Sequence, residues 1–244
     1  MPNLRGADFF VGDIHGCFHL LAQALEDVGF DPLVDRLICA GDLIDRGEHN
    51  DMAQEWLRQP FFHSVRGNHE ELYLKWYGLR GDRSAQRAFE KDNYFANGGQ
   101  WVKQMEPAEH DRLAALLTEL PYFISVGAPD GRTVGVVHAE LPDGMGWPQL
   151  ICQPPNTDLL KSMMWGRGRL RHARRKALNL PLKTTDPQDG NRIRGLALLV
   201  CGHFVVSKPK PLGNILYLDT GGWTESGHFS VLRLNDALQA VERF

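Results

Sequence analysis

The sequence has little that would assign it to a membrane, a secretory route or a redox reaction. No run approaches the roughly 18 apolar residues of a membrane span, and residues 1–8 have no apolar segment behind a basic start. The four cysteines lie far apart without metal-ligand spacing, which indicates reduced, structural thiols. We therefore expect a cytoplasmic protein with no membrane partner.

An excess of charge of one sign is also missing. The formal net charge is -3, so no global feature predicts binding to nucleic acid. The 244 residues, of which 43% are hydrophobic, suffice for one large core, and we predict a single domain over residues 1–244. The sequence does not predict an oligomeric state.

Three motifs of common enzyme classes do not occur. The chain has no Cys-x5-Arg loop, no Gly-x-Ser-x-Gly elbow and no Gly-x4-Gly-Lys-[Ser/Thr] loop. Their absence excludes the cysteine and serine nucleophiles of those classes and a P-loop. Hydrolysis would have to use another attacking group.

What the sequence does contain is a recurring short apolar run that ends in glycine or a polar residue. These runs are residues 9–11, 37–40, 63–66, 134–137 and 198–201. Each predicts a buried strand that presents a polar side chain at its carboxyl end. Helical patterns at residues 20–28, 52–57 and 108–120 lie between or after them. Alternating strands and helices predict a layered α/β fold whose site lies where the loops converge.

The second half of the chain has a different texture. Further strand patterns lie at residues 122–126, 132–137, 215–218 and 229–234, with few helical patterns between them. They favour a second, partly antiparallel sheet packed on the first. Residues 180–195 are rich in Pro, Asp, Thr and Gly and predict a long surface loop.

Candidate metal ligands follow the predicted strands. They are Asp13, His15, Asp42, Asn68, His138 and His203. Asp13 and His15 are two positions apart, so both can project to one side of an extended backbone. Asp42 has two carboxylate oxygens and can bridge two ions, with Asp13 and His15 on one and the remaining ligands on the other. Oxygen and nitrogen ligands without thiolate suit Mn, Fe or Zn better than Ca or Mg.

The neighbouring residues fit phosphoester hydrolysis by a metal-activated water, which needs no protein nucleophile. His69, next to Asn68, can protonate the leaving group, and Asp45 can orient its imidazole. Arg46 and Arg167 can hold the nonbridging phosphate oxygens.

Three blocks carry a family resemblance: Gly-Asp-x-His-Gly at residues 12–16, Gly-Asp-x-x-Asp-Arg-Gly at 41–47 and Gly-Asn-His-Glu at 67–70. They are the signature of the phosphoprotein phosphatases within the metallophosphoesterases, and the chain resembles the small bacterial and phage serine/threonine phosphatases of the lambda type. The resemblance implies a four-layer α-β-β-α sandwich with two mixed sheets and two divalent ions, manganese first, with iron or zinc as alternatives. It also implies the roles given above, with Asn68 and Arg66 near the substrate phosphate. Phe204 stands where relatives often carry threonine.

Three functions remain open. The first is hydrolysis of phosphoserine or phosphothreonine in proteins, or of small phosphomonoesters. The second is symmetrical diadenosine-tetraphosphate hydrolysis, although those enzymes commonly lack the acid at position 45 and carry Asp where this chain has Glu70. The third is a noncatalytic binding protein with the same fold. Such a protein would be expected to have lost a metal-ligand residue or His69, and the sequence has all of them.

Two features have no assigned role. The basic run at residues 167–176 is typical of a solvated helix face, or of an electropositive rim that attracts an acidic or phosphorylated partner. The other histidines lack a motif and are predicted to lie at the surface or in hydrogen bonds: His19, His49, His63, His110, His172 and His228.

Overall fold

The computed structural model describes residues 1–79, 84–181 and 191–243. The strands are β1 (Asp8–Val11), β2 (Arg36–Cys39), β3 (Phe62–Ser64), β4 (Phe123–Gly127), β5 (Thr133–Val137), β6 (Leu198–Cys201), β7 (Lys210–Leu212), β8 (Ile215–Tyr217) and β9 (Leu232–Arg233). The α-helices are α1 (Phe18–Asp27), α2 (Met52–Trp56), α3 (Asn68–Gly78), α4 (Ala85–Ala96), α5 (Pro107–Thr118), α6 (Trp147–Cys152), α7 (Thr157–Trp165), α8 (Gly168–Ala177) and α9 (Leu234–Glu242). A 3-10 helix, η1, spans Gly99–Gln104.

Two mixed sheets form the centre of the molecule. The first has the order β3-β2-β1-β9, with β1, β2 and β3 parallel and β9 antiparallel to β1. The second has the order β4-β5-β6-β8-β7, in which β5, β6 and β8 are parallel and the two edge strands are antiparallel. The predicted α/β class with two mixed sheets is confirmed.

Alternate side chains along the strands define the layers. On β1, Phe9 and Val11 pack with the helices α1, α3 and α5, whereas Phe10 packs toward the second sheet. On β6, Val200 faces the first sheet and Leu199 packs with α6, α7 and α8. Both faces of each sheet are therefore covered, which explains the continuous apolar runs in the sequence. The four-layer α-β-β-α sandwich is confirmed.

The second half differs from its predicted pattern in two respects. The strand expected at 229–234 is reduced to β9 and pairs with β1 in the first sheet, because α9 begins at Leu234. Three helices, α6 to α8, separate β5 from β6 where few helical patterns were expected. These helices have only six, nine and ten residues, so each shows fewer than three turns of periodicity.

The predicted loop at 180–195 is only partly covered, because residues 182–190 lie outside the described residues. Beyond them, Ile193 is buried and its backbone exchanges hydrogen bonds with the Asn214 side chain. Cys152 is exposed, in contrast to the other three cysteines, which are buried; all four are free. No helix in the described ranges has the length and apolarity needed to cross a membrane.

Candidate metal centre

The carboxyl ends of the parallel strands meet at one edge of the sandwich. Asp13 and His15 follow β1, Asp42 follows β2, and Asn68 follows β3. His138 follows β5 and His203 follows β6 in the other sheet. The structure therefore brings all six predicted ligands to one place, and all six are buried.

Asp42 lies at the middle of this group. Its Oδ2 atom is 3.6 Å from Nε2 of His15 and 3.4 Å from Nε2 of His138. Two sets of side chains that could each hold a metal ion share this carboxylate: His15, Asp42 and His69 form one, and Asp42, His138 and His203 form the other. A carboxylate that lies close to imidazole nitrogens of both sets could serve as a ligand shared by two ions.

The histidines direct their free nitrogens at Asp42. Nδ1 of His15 lies 2.9 Å from the Ile44 carbonyl and Nδ1 of His138 lies 2.8 Å from the Ala40 carbonyl. Because those nitrogens must donate to carbonyl oxygens, Nε2 is the atom of each ring that carries the lone pair for a ligand bond when the ring is neutral. Nδ1 of His203 lies 3.1 Å from Nε2 of His138.

Asp13 and Asn68 complete the group. Oδ2 of Asp13 is 4.0 Å from Nε2 of His15, while its Oδ1 accepts a hydrogen bond of 2.9 Å from the His203 backbone N–H. Oδ1 of Asn68 is 2.9 Å from Nε2 of His138. His69 also lies beside His15, with the two ring centroids 4.6 Å apart.

The protonation states favour cation binding. Burial, and then the neighbouring His69, hold the pKa of His15 well below its ordinary value, and burial with His138 lowers the pKa of His203 to about 2. Both rings are therefore neutral at pH 7 and can act as ligands. Burial would raise the pKa of Asp42, but His138 and His69 hold it well below its ordinary value.

Acidic side chains are concentrated at this site. Burial, followed by the charges of Asp219 and Asp42, holds the pKa of Asp13 well above its ordinary value. Burial also raises the pKa of Asp219, with Asp42 adding to the effect. Neighbouring carboxylates that raise one another's pKa are stabilised by a divalent cation between them, so these residues fit the predicted metals.

The backbone at the site is held in an unusual conformation. Seven described residues other than glycine have positive φ angles, and five of them are at the site: His15, Asp42, Asp45, Arg46 and His203. Such angles are uncommon for non-glycine residues and persist only where the surroundings enforce them. Gly41, with φ of 97°, allows the turn before Asp42, since a Cβ there would lie 2.8 Å from the Gly67 nitrogen.

His69 forms a buried pair with Asp45. Nδ1 of His69 lies 2.7 Å from Oδ2 of Asp45, and neither side chain is exposed. The other carboxylate oxygen accepts hydrogen bonds of 2.8 Å from the Tyr94 hydroxyl and 2.8 Å from Nε1 of Trp101. Asp45 is thereby fixed from α4 and η1, and it fixes the imidazole in turn. Sequence reasoning did not assign Tyr94 or Trp101 to the site.

We expect Tyr94→Phe to lower kcat on an alkyl phosphate by about fivefold, because Asp45 loses one hydrogen bond of about 1 kcal/mol and holds His69 less firmly. Steady-state kinetics with phosphoserine measures the effect. Tyr77→Phe is the matched control, since the Tyr77 hydroxyl donates to Asp111 away from the site. Equal activity of the two variants would contradict a role for Tyr94.

Two of the three predicted arginines reach the pocket. This cavity of about 330 Å³ is lined by Asp13, Asp42, Arg46, Asn68, Asn97, Trp165, Arg167, His203, Phe204, Val205 and Trp223. Arg46 donates to Nε2 of His15 and of His69 at 2.7 and 2.9 Å, and its guanidinium stacks 4.4 Å from the Trp223 ring. Nε of Arg167 donates to Nε2 of His203 at 2.9 Å.

Arg66 is directed elsewhere. Its guanidinium donates to the Tyr122 hydroxyl at 2.9 Å, to the Thr118 carbonyl at 2.6 Å and to Glu71 at 3.3 Å, and it does not line the pocket. The phosphate role predicted for Arg66 is therefore not supported. The side chain instead ties α3 to the turn before β4.

Glu70 holds the ends of β2 and β3 together. Its carboxylate accepts three buried hydrogen bonds, from the backbone N–H groups of Leu43, Asp42 and Gly67 at 2.8, 3.0 and 2.8 Å. Burial, and then the charge of Asp42, raises its pKa to about 7. The Asp42 loop and the first turn of α3 are positioned by this one side chain.

We expect Glu70→Gln to lower the free energy of unfolding by roughly 2 to 3 kcal/mol, because a glutamine amide has one acceptor oxygen and leaves a buried N–H unpaired. Urea denaturation of chelator-treated protein measures this. Glu71→Gln, which alters a partly exposed ion pair, should cost less than about 1 kcal/mol. Similar losses of unfolding free energy in both variants would contradict the role of Glu70 in holding these loops together.

Asp219 was not predicted as part of the site. Asp219 follows β8, the next parallel strand after β6, and is 1% exposed. The Trp223 ring lies 4.8 Å from that of His15. The same strand-end position as the other ligands could have indicated Asp219, since residues 215–218 were predicted as a strand.

This chemistry belongs to the metal-dependent phosphoesterases. The family model described as calcineurin-like phosphoesterase matches residues 9–206, and the chain belongs to that family.

Three comparisons place the chain among relatives. It is 30% identical over 230 residues to serine/threonine-protein phosphatase 2 of Salmonella typhimurium, covering 92% of this chain and 91% of that protein. It is 41% identical to a symmetrical bis(5'-nucleosyl)-tetraphosphatase of Actinobacillus succinogenes over 75 residues, or 30% of this chain and 27% of that protein. A crystal structure of a putative diadenosine tetraphosphatase has the same fold, with a TM-score of 0.57, 19% identity and 96% of both chains covered.

Proposed function

We propose that this protein is a metal-dependent phosphomonoesterase that removes phosphate from phosphoserine and phosphothreonine in proteins, with residues 1–244 as one catalytic domain. The observation that carries the proposal is the position of Asp42 Oδ2 between the imidazoles of His15 and His138. It supports a dinuclear site rather than two independent ones. Manganese is the proposed metal.

The six ligands would hold two ions, with Asp13, His15 and Asp42 on one and Asp42, Asn68, His138 and His203 on the other. When bound, the ions supply an acidified water as attacking group and offset phosphate charge. Arg46 and Arg167 would grip the nonbridging oxygens through their planar forks, which favours the charge distribution of phosphoryl transfer.

His69 would donate the proton that the leaving alkoxide needs. Because Nδ1 is committed to Asp45, Nε2 is the free nitrogen, and it lies beside Arg46, a residue that lines the pocket. Asp45 fixes the orientation of the ring through Nδ1, so that Nε2 would be the atom from which a proton passes to the leaving oxygen as its bond to phosphorus breaks.

The proposed protein phosphatase function is supported by the share of this chain that its relatives match. The relative named as a serine/threonine-protein phosphatase matches 92% of this chain, whereas a tetraphosphatase of Actinobacillus succinogenes matches 30% of it and one of Methylococcus capsulatus matches 56%. Asp45 and Glu70, which depart from the tetraphosphatase pattern, both make specific contacts here. The tetraphosphatase function is the second candidate because its local identity is higher.

The test is a comparison of kcat/KM for the manganese-loaded protein on a phosphothreonine peptide, p-nitrophenyl phosphate and diadenosine tetraphosphate. Higher kcat/KM on the peptide is the expected result. A preference for diadenosine tetraphosphate would replace the proposal with the second candidate. Absence of turnover on all three would indicate a noncatalytic protein.

A further inference from the structure

A helix rich in arginine begins at the catalytic pocket. Arg167, which lines the pocket, is the residue that precedes α8. The ten residues of α8 include five arginines or lysines and no acidic residue. The helix therefore extends positive charge away from the place where a substrate phosphate would lie.

The cations of α8 have different environments. Arg169 is 1% exposed, and its backbone N–H donates to the buried Glu140 carboxylate, so it belongs to the interior rather than to the solvated face that the sequence predicted. Arg175 donates to the Pro181 carbonyl at the end of the helix. Arg171 and Arg174 are exposed, and no hydrogen bond or ion pair joins their side chains to another residue within the described ranges.

Arg171 and Arg174 share one face with Arg167. At 3.6 residues per turn, positions 167, 171 and 174 fall within about 60° of one another around the helix axis. Like charges three and four residues apart destabilise a helix. Arg174 lies in the last turn, where a cation interacts favourably with the helix dipole, but Arg171 lies outside that turn and α8 has no acidic residue to pair with it. The exposed row of cations therefore favours a role in binding.

We propose that Arg171 and Arg174, called here the α8 ridge, bind acidic side chains that flank the phosphorylated residue of a protein substrate. This inference rests on the proposed function and names the substrate class. The ridge residues lie about 6 and 10 Å along the axis from Arg167. An extended peptide advances about 3.3 Å per residue, so the acidic partners stand two and three residues from the phosphoresidue.

The test uses phosphothreonine peptides that differ only at those positions: two glutamates on the amino side, two on the carboxyl side, or glutamines throughout. For the manganese-loaded protein, one acidic peptide is expected to exceed the glutamine peptide in kcat/KM by about tenfold. The preference should shrink between about 20 mM and about 500 mM salt, because screening weakens exposed charge pairs.

The double variant Arg171→Glu with Arg174→Glu is expected to abolish the acidic preference while turnover of p-nitrophenyl phosphate stays close to that of the natural protein. The matched control is Arg5→Glu with Arg58→Glu, which changes the net charge equally at exposed positions outside the pocket and should keep the preference.

Any of three results would contradict the proposed role of the α8 ridge. The natural protein could show no preference for acidic peptides, the control variant could lose the preference equally, or the double variant could lose turnover of p-nitrophenyl phosphate in parallel. Failure of the proposed function is a separate result. It would be seen as turnover of p-nitrophenyl phosphate without turnover of any phosphopeptide.

Discussion

Replacement of Asp42 by asparagine is expected to abolish metal retention and turnover together. The amide keeps the size of the side chain but removes the negative charge next to both His15 and His138. Since the ions supply several kcal/mol of stabilisation to the transition state, kcat should fall by about a thousandfold or more. Elemental analysis after buffer exchange should find about two ions per chain in the natural protein and far fewer in the variant.

Asp51→Asn is the control for this experiment, because Asp51 is exposed and lies outside the pocket. It should keep both metal and activity. Retention of one tightly bound ion by Asp42→Asn would show that the two ligand sets are independent, and it would contradict the bridging role.

Replacement of His69 by asparagine is expected to preserve the metals and to lower kcat by about 10²- to 10⁴-fold on phosphothreonine, the usual contribution of a positioned proton donor. The loss should be much smaller on p-nitrophenyl phosphate, whose leaving group departs without protonation. Kinetics on both substrates, together with elemental analysis, measure the two effects separately.

This variant also distinguishes two roles of His69, as a proton donor or as a metal ligand. Its Nε2 atom lies 3.9 Å from Oδ2 of Asp42, close enough for His69 to belong to the ligand set with His15. If His69→Asn loses metal as Asp42→Asn does, or loses equal activity on both substrates, its role is that of a ligand. His63→Asn, an exposed position on β3, serves as the control.

The strand ends were predictable because one physical rule governs them. A buried parallel strand is apolar on both faces, so the first polar residue after the run marks its carboxyl end. Phe10 and Val200 follow this rule, and the strands β1, β2, β5 and β6 lie within a residue or two of their predicted positions. The same rule brought the ligand residues to one edge of the sandwich.

Other parts were not predictable because their partners are distant in the sequence. The Tyr94 hydroxyl reaches Asp45 across 49 positions, and no local pattern distinguishes it from a core tyrosine. Arg66 stands next to a motif, yet its contacts with Thr118 and Tyr122 direct it away from the pocket. Adjacency in sequence predicts where a backbone passes, whereas side-chain direction depends on tertiary contacts.

The division of the ligands between the two sheets affects the stability of the protein. Asp42 belongs to one half of the sandwich, and His138 and His203 belong to the other. Any cation held by all three fastens the halves to each other, so its binding energy adds to the free energy of unfolding. Loss of the metal would then lower the stability of the protein as well as its activity. The less stable chain would be degraded faster, so the abundance of the protein would depend on the metal supply.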